Sequence, residues 1–121
     1  MQVPKIFNSE YRFCLVLWEH EPINSTKLAL LCKEQLGWSK TTTYTVIHRL
    51  SDRGVLKNEN AVVSSLVTKE QVQEFELDQL VEKTFEGSIP SFIAAFSRSK
   101  KLSQEEIDQL QALIDAHKQG M

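Results

Sequence analysis

Apolar residues recur at helical spacing in six stretches of this chain, with one break in the middle. Tyr11, Cys14, Leu15 and Trp18 fall at i, i+3, i+4 and i+7. They predict a first helix to about His20, capped by Asn8 or Ser9 behind a short arm over residues 1–8. Pro22 breaks the chain, and Asn24 or Ser25 can cap a second helix. That helix turns Leu28, Leu31, Cys32 and Leu36 inward and Lys27, Lys33 and Glu34 outward, and Gly37 ends it. The link to the third helix is only Gly37-Trp38-Ser39. Ser39 caps that helix, Thr43, Val46, Ile47 and Leu50 form its buried stripe, and Gly54 stops it. So short a link makes two helices cross steeply, as in a helix-turn-helix.

After Gly54 the pattern changes. Val55-Leu56-Lys57 and Ala61 to Val67 read as strands around a polar Asn58-Glu59-Asn60 turn. Three helices followed by a hairpin are in the order of a winged helix. Thr68 and Gln71 then form a capping box opening a long helix to about Glu86, with Val72, Phe75, Leu77, Leu80, Val81 and Phe85. Ser88-Ile89-Pro90 starts another, with Ile89, Phe92, Ile93 and Phe96 on one side. Ser103 and Glu106 form a second capping box before Ile107, Leu110, Leu113 and Ile114. The expected fold class is mainly α: a winged helix-turn-helix domain with a small β-hairpin over residues 1–68, and a C-terminal helical dimerisation domain over residues 69–121. A tail of about 50 residues struggles to bury a core without a metal, disulfides or a partner. Leu77, Leu80, Phe92, Phe96 and Leu110 have no evident partner within it, so they are assigned to a homodimer seam.

The third helix carries the candidate chemistry. Lys40, Thr41, Tyr44 and His48 lie away from its apolar stripe. Threonine is a mediocre helix former, so three threonines in succession are a costly choice for a plain solvated face. They suit a helix that meets double-stranded DNA, because hydroxyls and lysine bind phosphate oxygens and threonine methyls pack on thymine methyls. Ser39, Lys40, Thr41, Thr42, Tyr44, Thr45 and His48 are the candidate DNA-binding residues. Arg49 is expected to pair with an acid inside the domain.

Charge agrees with two roles. The whole chain has a formal charge of −2, but residues 1–68 hold eight Lys/Arg against six Asp/Glu, and residues 69–121 six against ten. No apolar run approaches the roughly 18 residues that span a membrane, and the N-terminal residues lack the apolar core of a signal peptide. Cys14 and Cys32 sit within helical patterns and are read as reduced core residues of a cytoplasmic protein. Enzymatic function is not expected. His20, His48 and His117 are scattered, no Cys or carboxylate cluster has metal-ligand spacing, and Gly37, Gly54, Gly87 and Gly120 form no phosphate loop. No catalytic residue, metal or cofactor is assigned.

Order and spacing together give a resemblance. Tyr11 with Trp18 seven residues on, Trp38-Ser39, then Thr42, Thr45, Ile47, Arg49-Leu50 and Gly54 resemble the penicillinase-repressor family of bacterial transcriptional repressors. So does the tail, with Phe96 followed by Leu102-Ser103-Gln104-Glu105-Glu106-Ile107 and Leu110. The resemblance implies a dimeric repressor on a palindromic operator of a β-lactamase, resistance or metal-homeostasis gene. It also implies inactivation by a sensor-linked protease, with Ala95-Phe96 as the candidate cleavage bond. The chain departs from the family pattern in three places. Lys40-Thr41-Thr42 replaces Pro-Lys-Thr, the wing tip is polar, and alanine rather than asparagine precedes the candidate bond. A ligand-responsive winged-helix repressor and a winged helix used for protein contacts remain as alternatives.

Overall fold

The computed structural model describes residues 3–120. Its elements run α1 (Asn8–His20), β1 (Ile23–Asn24), α2 (Ser25–Leu36), α3 (Lys40–Asp52), β2 (Leu56–Glu59), β3 (Val62–Ser65), α4 (Lys69–Phe85), α5 (Ile89–Ser99) and α6 (Gln104–Gln119). The chain divides into two compact units within α4, between Leu77 and Asp78. No described helix is long and apolar enough to cross a membrane.

The first unit is a winged helix. Its three strands form an antiparallel sheet in the order β1-β3-β2, with Ile23 opposite Val63 and Leu56 opposite Ser65. The two-residue strand β1 carries no apolar alternation to announce it; Pro22 marked only a break. The hairpin is also tighter than expected. Asn58 and Glu59 pair within β2, and the turn is Asn60-Ala61, both with positive φ (53° and 64°). Two residues of that hand match the twist of the flanking strands. Asn60 accepts this conformation readily, whereas Ala61 is strained by its Cβ. The Ala61 carbonyl accepts the Ser25 N–H at 2.8 Å, which ties the turn to the start of α2.

The inward face of α1 differs from the expected one. Phe13, Cys14, Val16 and Leu17 are buried, Leu15 is exposed, and Tyr11 and Trp18 are only half-buried. Glu10 lies on the buried face as well, which obscures that stripe in the sequence. Arg53 makes its burial tenable: the guanidinium pairs with both carboxylate oxygens of Glu10 and also donates to the Lys5 carbonyl at 2.8 Å. Burial alone would push the Glu10 carboxyl up, but Arg53 and the Phe7 N–H hold it below its ordinary value. The expected arm over residues 1–8 packs against the domain in its described part, with Val3 buried and Ile6 against the core; Met1 and Gln2 lie outside the described residues.

Three polar or aromatic links position the helix-turn-helix and the sheet. Trp38, in the turn after α2, stacks on Phe13 with centroids 6.0 Å apart. Trp18 Nε1–H donates to the Val67 carbonyl at 3.0 Å. The Glu21 carboxylate accepts the Ser65 N–H at 2.6 Å. Both cysteines are free and buried. Burial, with the charges of Glu10 and Glu21, pushes the Cys14 thiol up to about 12; burial raises Cys32, partly offset by the Thr43 hydroxyl.

The second unit follows the expected helices and caps. Ser88 Oγ accepts the Ser91 N–H, and Ser103 and Glu106 form a reciprocal capping box. Phe92 meets Phe85 edge-on at 5.6 Å and Phe96 at 6.5 Å. Yet no residue of α5 or α6 is buried.

Candidate nucleic-acid interface

Two local devices fix α3. At its N-terminus Ser39 Oγ accepts the Thr42 N–H at 3.1 Å, as an N-cap should. At its C-terminus Gly54 adopts φ +81°, a conformation costly for any residue with a Cβ. Gly54 N–H then reaches the Ser51 carbonyl and Val55 N–H the Leu50 carbonyl, the paired bonds of a Schellman ending. Thr43, Val46, Ile47 and Leu50 are buried as expected. That anchors one side of α3 in the core and fixes which side chains face outward.

Lys40, Thr41, Thr42, Thr45 and His48 are exposed and Tyr44 is half-buried. Thr41, Tyr44, Thr45, His48 and Arg49 line one open groove of about 480 Å³. Lys40 Nζ stands 5.7 Å from the Tyr44 ring centroid, which steadies both side chains. The hydroxyls are not equivalent. Ser39 Oγ donates to Thr42 Oγ1 at 2.9 Å while it caps the helix, so its proton is already committed. Thr42 accepts that bond and keeps its own proton to donate. Thr45 Oγ1 donates to the Thr41 carbonyl at 2.9 Å, so it presents outward a methyl group and lone pairs.

The charges sort differently from the sequence expectation for Arg49. Arg53 takes Glu10, and His48 Nε2 lies 3.5 Å from Asp52. Arg49 is exposed and forms no ion pair among the described residues, although its charge also helps to hold the Glu10 carboxyl below its ordinary value. Its guanidinium therefore joins Lys40 as an available cation on this face; only the tertiary pairing of Arg53 could reveal that. On the wing, Lys57 Nζ is 3.8 Å from Glu59, and the tip carries no cation.

Of the residues assigned to a seam, Leu77, Leu80, Phe96 and Leu110 are exposed, and Phe92 is half-buried among aromatics. Ile89, Ile93, Leu113 and Ile114 are exposed too, and they belong to the same apolar stripes. Ala95 and Phe96 lie inside α5, where the Phe96 carbonyl accepts the Lys100 N–H at 3.0 Å.

Comparison with known proteins agrees with this architecture. The family model for the penicillinase repressor matches residues 6–116. The penicillinase repressor of Bacillus licheniformis is 24% identical over 121 residues, covering 97% of this chain and 94% of that protein. The methicillin resistance regulatory protein MecI of Staphylococcus aureus is 24% identical over 115 residues, covering 92% and 94%. Among solved structures, the solution structure of the Bacillus licheniformis BlaI monomeric form in complex with the blaP half-operator matches with a TM-score of 0.51 at 24% identity. It covers 58% of this chain and 90% of that one, and it shares the fold. With the family model spanning nearly the whole sequence, this chain belongs to the penicillinase repressor family.

Proposed function

We propose that the protein is a transcriptional repressor that binds a palindromic DNA operator as a homodimer, with α3 of each copy in the major groove. The outward face of α3 carries this reading: hydroxyls, a lysine, an arginine and a tyrosine on the exposed side of a helix-turn-helix, in a member of a repressor family. Lys40 and Arg49 take backbone phosphates. Thr42 donates its hydroxyl proton to a base or phosphate acceptor, and the Thr45 methyl meets a thymine methyl. Thr41, Tyr44 and His48 flank these contacts, while Ser39 serves by holding the helix end. The names of the relatives, and the half-operator bound by the BlaI structure, support a β-lactamase or other resistance gene as the target. A DNA partner supports a cytoplasmic location.

A second copy completes the apolar stripes of α4, α5 and α6. Dimerisation through Leu77, Leu80, Phe92, Phe96 and Leu110 would set two α3 helices about 34–36 Å apart, one turn of duplex. A sensor-linked protease at Ala95-Phe96 would have to unwind α5 first, because a bond inside a hydrogen-bonded helix does not fit a protease cleft. N-terminal sequencing of fragments from induced cells reads this directly: a new terminus at Phe96 supports regulated cleavage, and an intact chain during full derepression excludes it. For the repressor reading itself, random duplexes enriched on the purified protein should yield a palindrome with half-sites about 10 base pairs apart. A protein that stays monomeric at micromolar concentration and ignores duplex DNA at low salt would refute it.

A further inference from the structure

A second cleft lies beside the outward face of α3. About 340 Å³ in volume, it is lined by Thr26, Ala29, Leu30 and Lys33 of α2 together with Ser39 and Lys40. The three-residue turn after α2 brings Lys33 and Lys40 to one cleft, although they belong to different helices. Among the described residues no acidic side chain lines it. Neither lysine forms an ion pair among the described residues, whereas Arg53 is held by Glu10 and Lys57 by Glu59. The floor is apolar: Ala29 is buried and Leu30 is 58% exposed, a large aliphatic side chain kept at the surface. Two uncompensated ammonium groups around an aliphatic floor match one repeating unit of a nucleic-acid strand, an anionic phosphodiester joined to a largely apolar sugar face.

We infer that this cleft seats one backbone phosphodiester of the bound DNA, with Lys33 and Lys40 as its paired cations and Leu30 against the adjoining deoxyribose. The inference rests on the DNA reading of α3 and adds α2 as a positioning element that carries no base sequence information. It also accounts for a wing with so little charge to offer: the backbone grip moves from the hairpin to the helix preceding α3, the element that crosses the phosphate strand in helix-turn-helix proteins.

The test is fluorescence anisotropy of the full chain on an operator duplex and on an unrelated duplex across a salt series. Lys33→Ala should lower the slope of log affinity against log salt on both duplexes, by up to about 0.9, the value for one phosphate, because Lys40 still faces the same group. Lys33→Arg should restore it. Lys27→Ala removes an equal charge from the same helix, but Lys27 lines the adjoining groove with His20, Pro22 and Glu34, which shares only Leu30 with the cleft, so its slope should stay at the wild-type value. Matched thermal melts exclude unfolding as the cause. An unchanged slope for Lys33→Ala, with binding still lost on substitution of Thr42 and Arg49, removes the cleft and leaves the α3 reading standing. Equal effects of Lys27→Ala and Lys33→Ala would reduce the cleft to general surface charge. A loss confined to the operator duplex would make Lys33 a base reader and overturn the phosphodiester assignment. Wild-type protein that binds neither duplex overturns both readings.

Discussion

The two units of this chain use the same helical periodicity to opposite ends. In the first, the stripes of α1, α2 and α3 close on one another and on the sheet, and Phe13, Leu17, Leu28, Leu50, Leu56 and Val63 lose essentially all contact with solvent. In the second, only Val81 is buried among the large apolar residues described, and Leu113 keeps 67% of its surface exposed. Apolar content does not separate them; supply of facing surfaces does. Three helices and a sheet can enclose a core, whereas the end of α4 with α5 and α6 has stripes but too few neighbours to cover them. Fully burying one leucine or isoleucine is worth about 1.5–3 kcal/mol, so several exposed ones make a strong drive toward a matching surface. The first unit is therefore expected to hold its fold alone, and the second to owe its order to a second copy.

The most damaging way to break that contrast is at the seam. Leu80→Asp puts an unpaired charge into the proposed interface. The variant should be monomeric by light scattering, with the winged helix folded and operator affinity down by ~10²–10⁴-fold, because linking two modest contacts is what multiplies affinity. A variant that remains dimeric would remove Leu80 from the seam. In the first unit the counterpart is Leu50→Ala, which empties a fully buried site and should cost about 2–5 kcal/mol in a denaturant melt of the DNA-binding unit. Leu113→Ala should cost far less in a forced monomer; equal losses at the two positions would erase the distinction between the units.

A third effect belongs to the first unit only. Glu10 titrates below its ordinary value of 4.5 in the folded chain, so its pair with Arg53 adds stability above that pH and loses it as the pH falls through the lowered value. Glu10→Gln should cost about 3 kcal/mol at neutral pH, the low end for breaking a buried pair because Arg53 keeps 29% of its side chain exposed. It should also flatten the acid limb of the stability curve. An acid limb as steep as that of the wild type would assign that loss to other carboxylates. The smallest effect is the finest test of the α3 face. Because the Thr45 proton is given to the Thr41 carbonyl, Thr45→Val keeps the methyl and should preserve operator choice, whereas Thr45→Ser should lose about 1 kcal/mol of discrimination at one base pair, the value of one buried methyl. The reverse order would make the hydroxyl oxygen the reading group.

The sequence by itself determined the features that close within one turn of chain. Ser39, Asn24, Ser88 and the Ser103–Glu106 box cap their helices, and Gly37 and Gly54 end theirs, because each bond joins groups at most a few residues apart. The α3 stripe was legible for the same reason, and its four buried residues left the polar face of Lys40 to His48 as the remainder. Only the tertiary structure decided what depends on distant partners. Strand β1 exists because β3 lies beside it. The buried face of α1 includes Glu10 because Arg53, 43 residues away in sequence, neutralises it, and that pairing leaves Arg49 available on α3. Lys33 reads as an ordinary outward lysine until the turn sets it across a cleft from Lys40. A hydrogen bond at short sequence separation is specified by residue type and spacing. A burial, an ion pair or a cleft is specified by whatever surface the rest of the chain brings to face it.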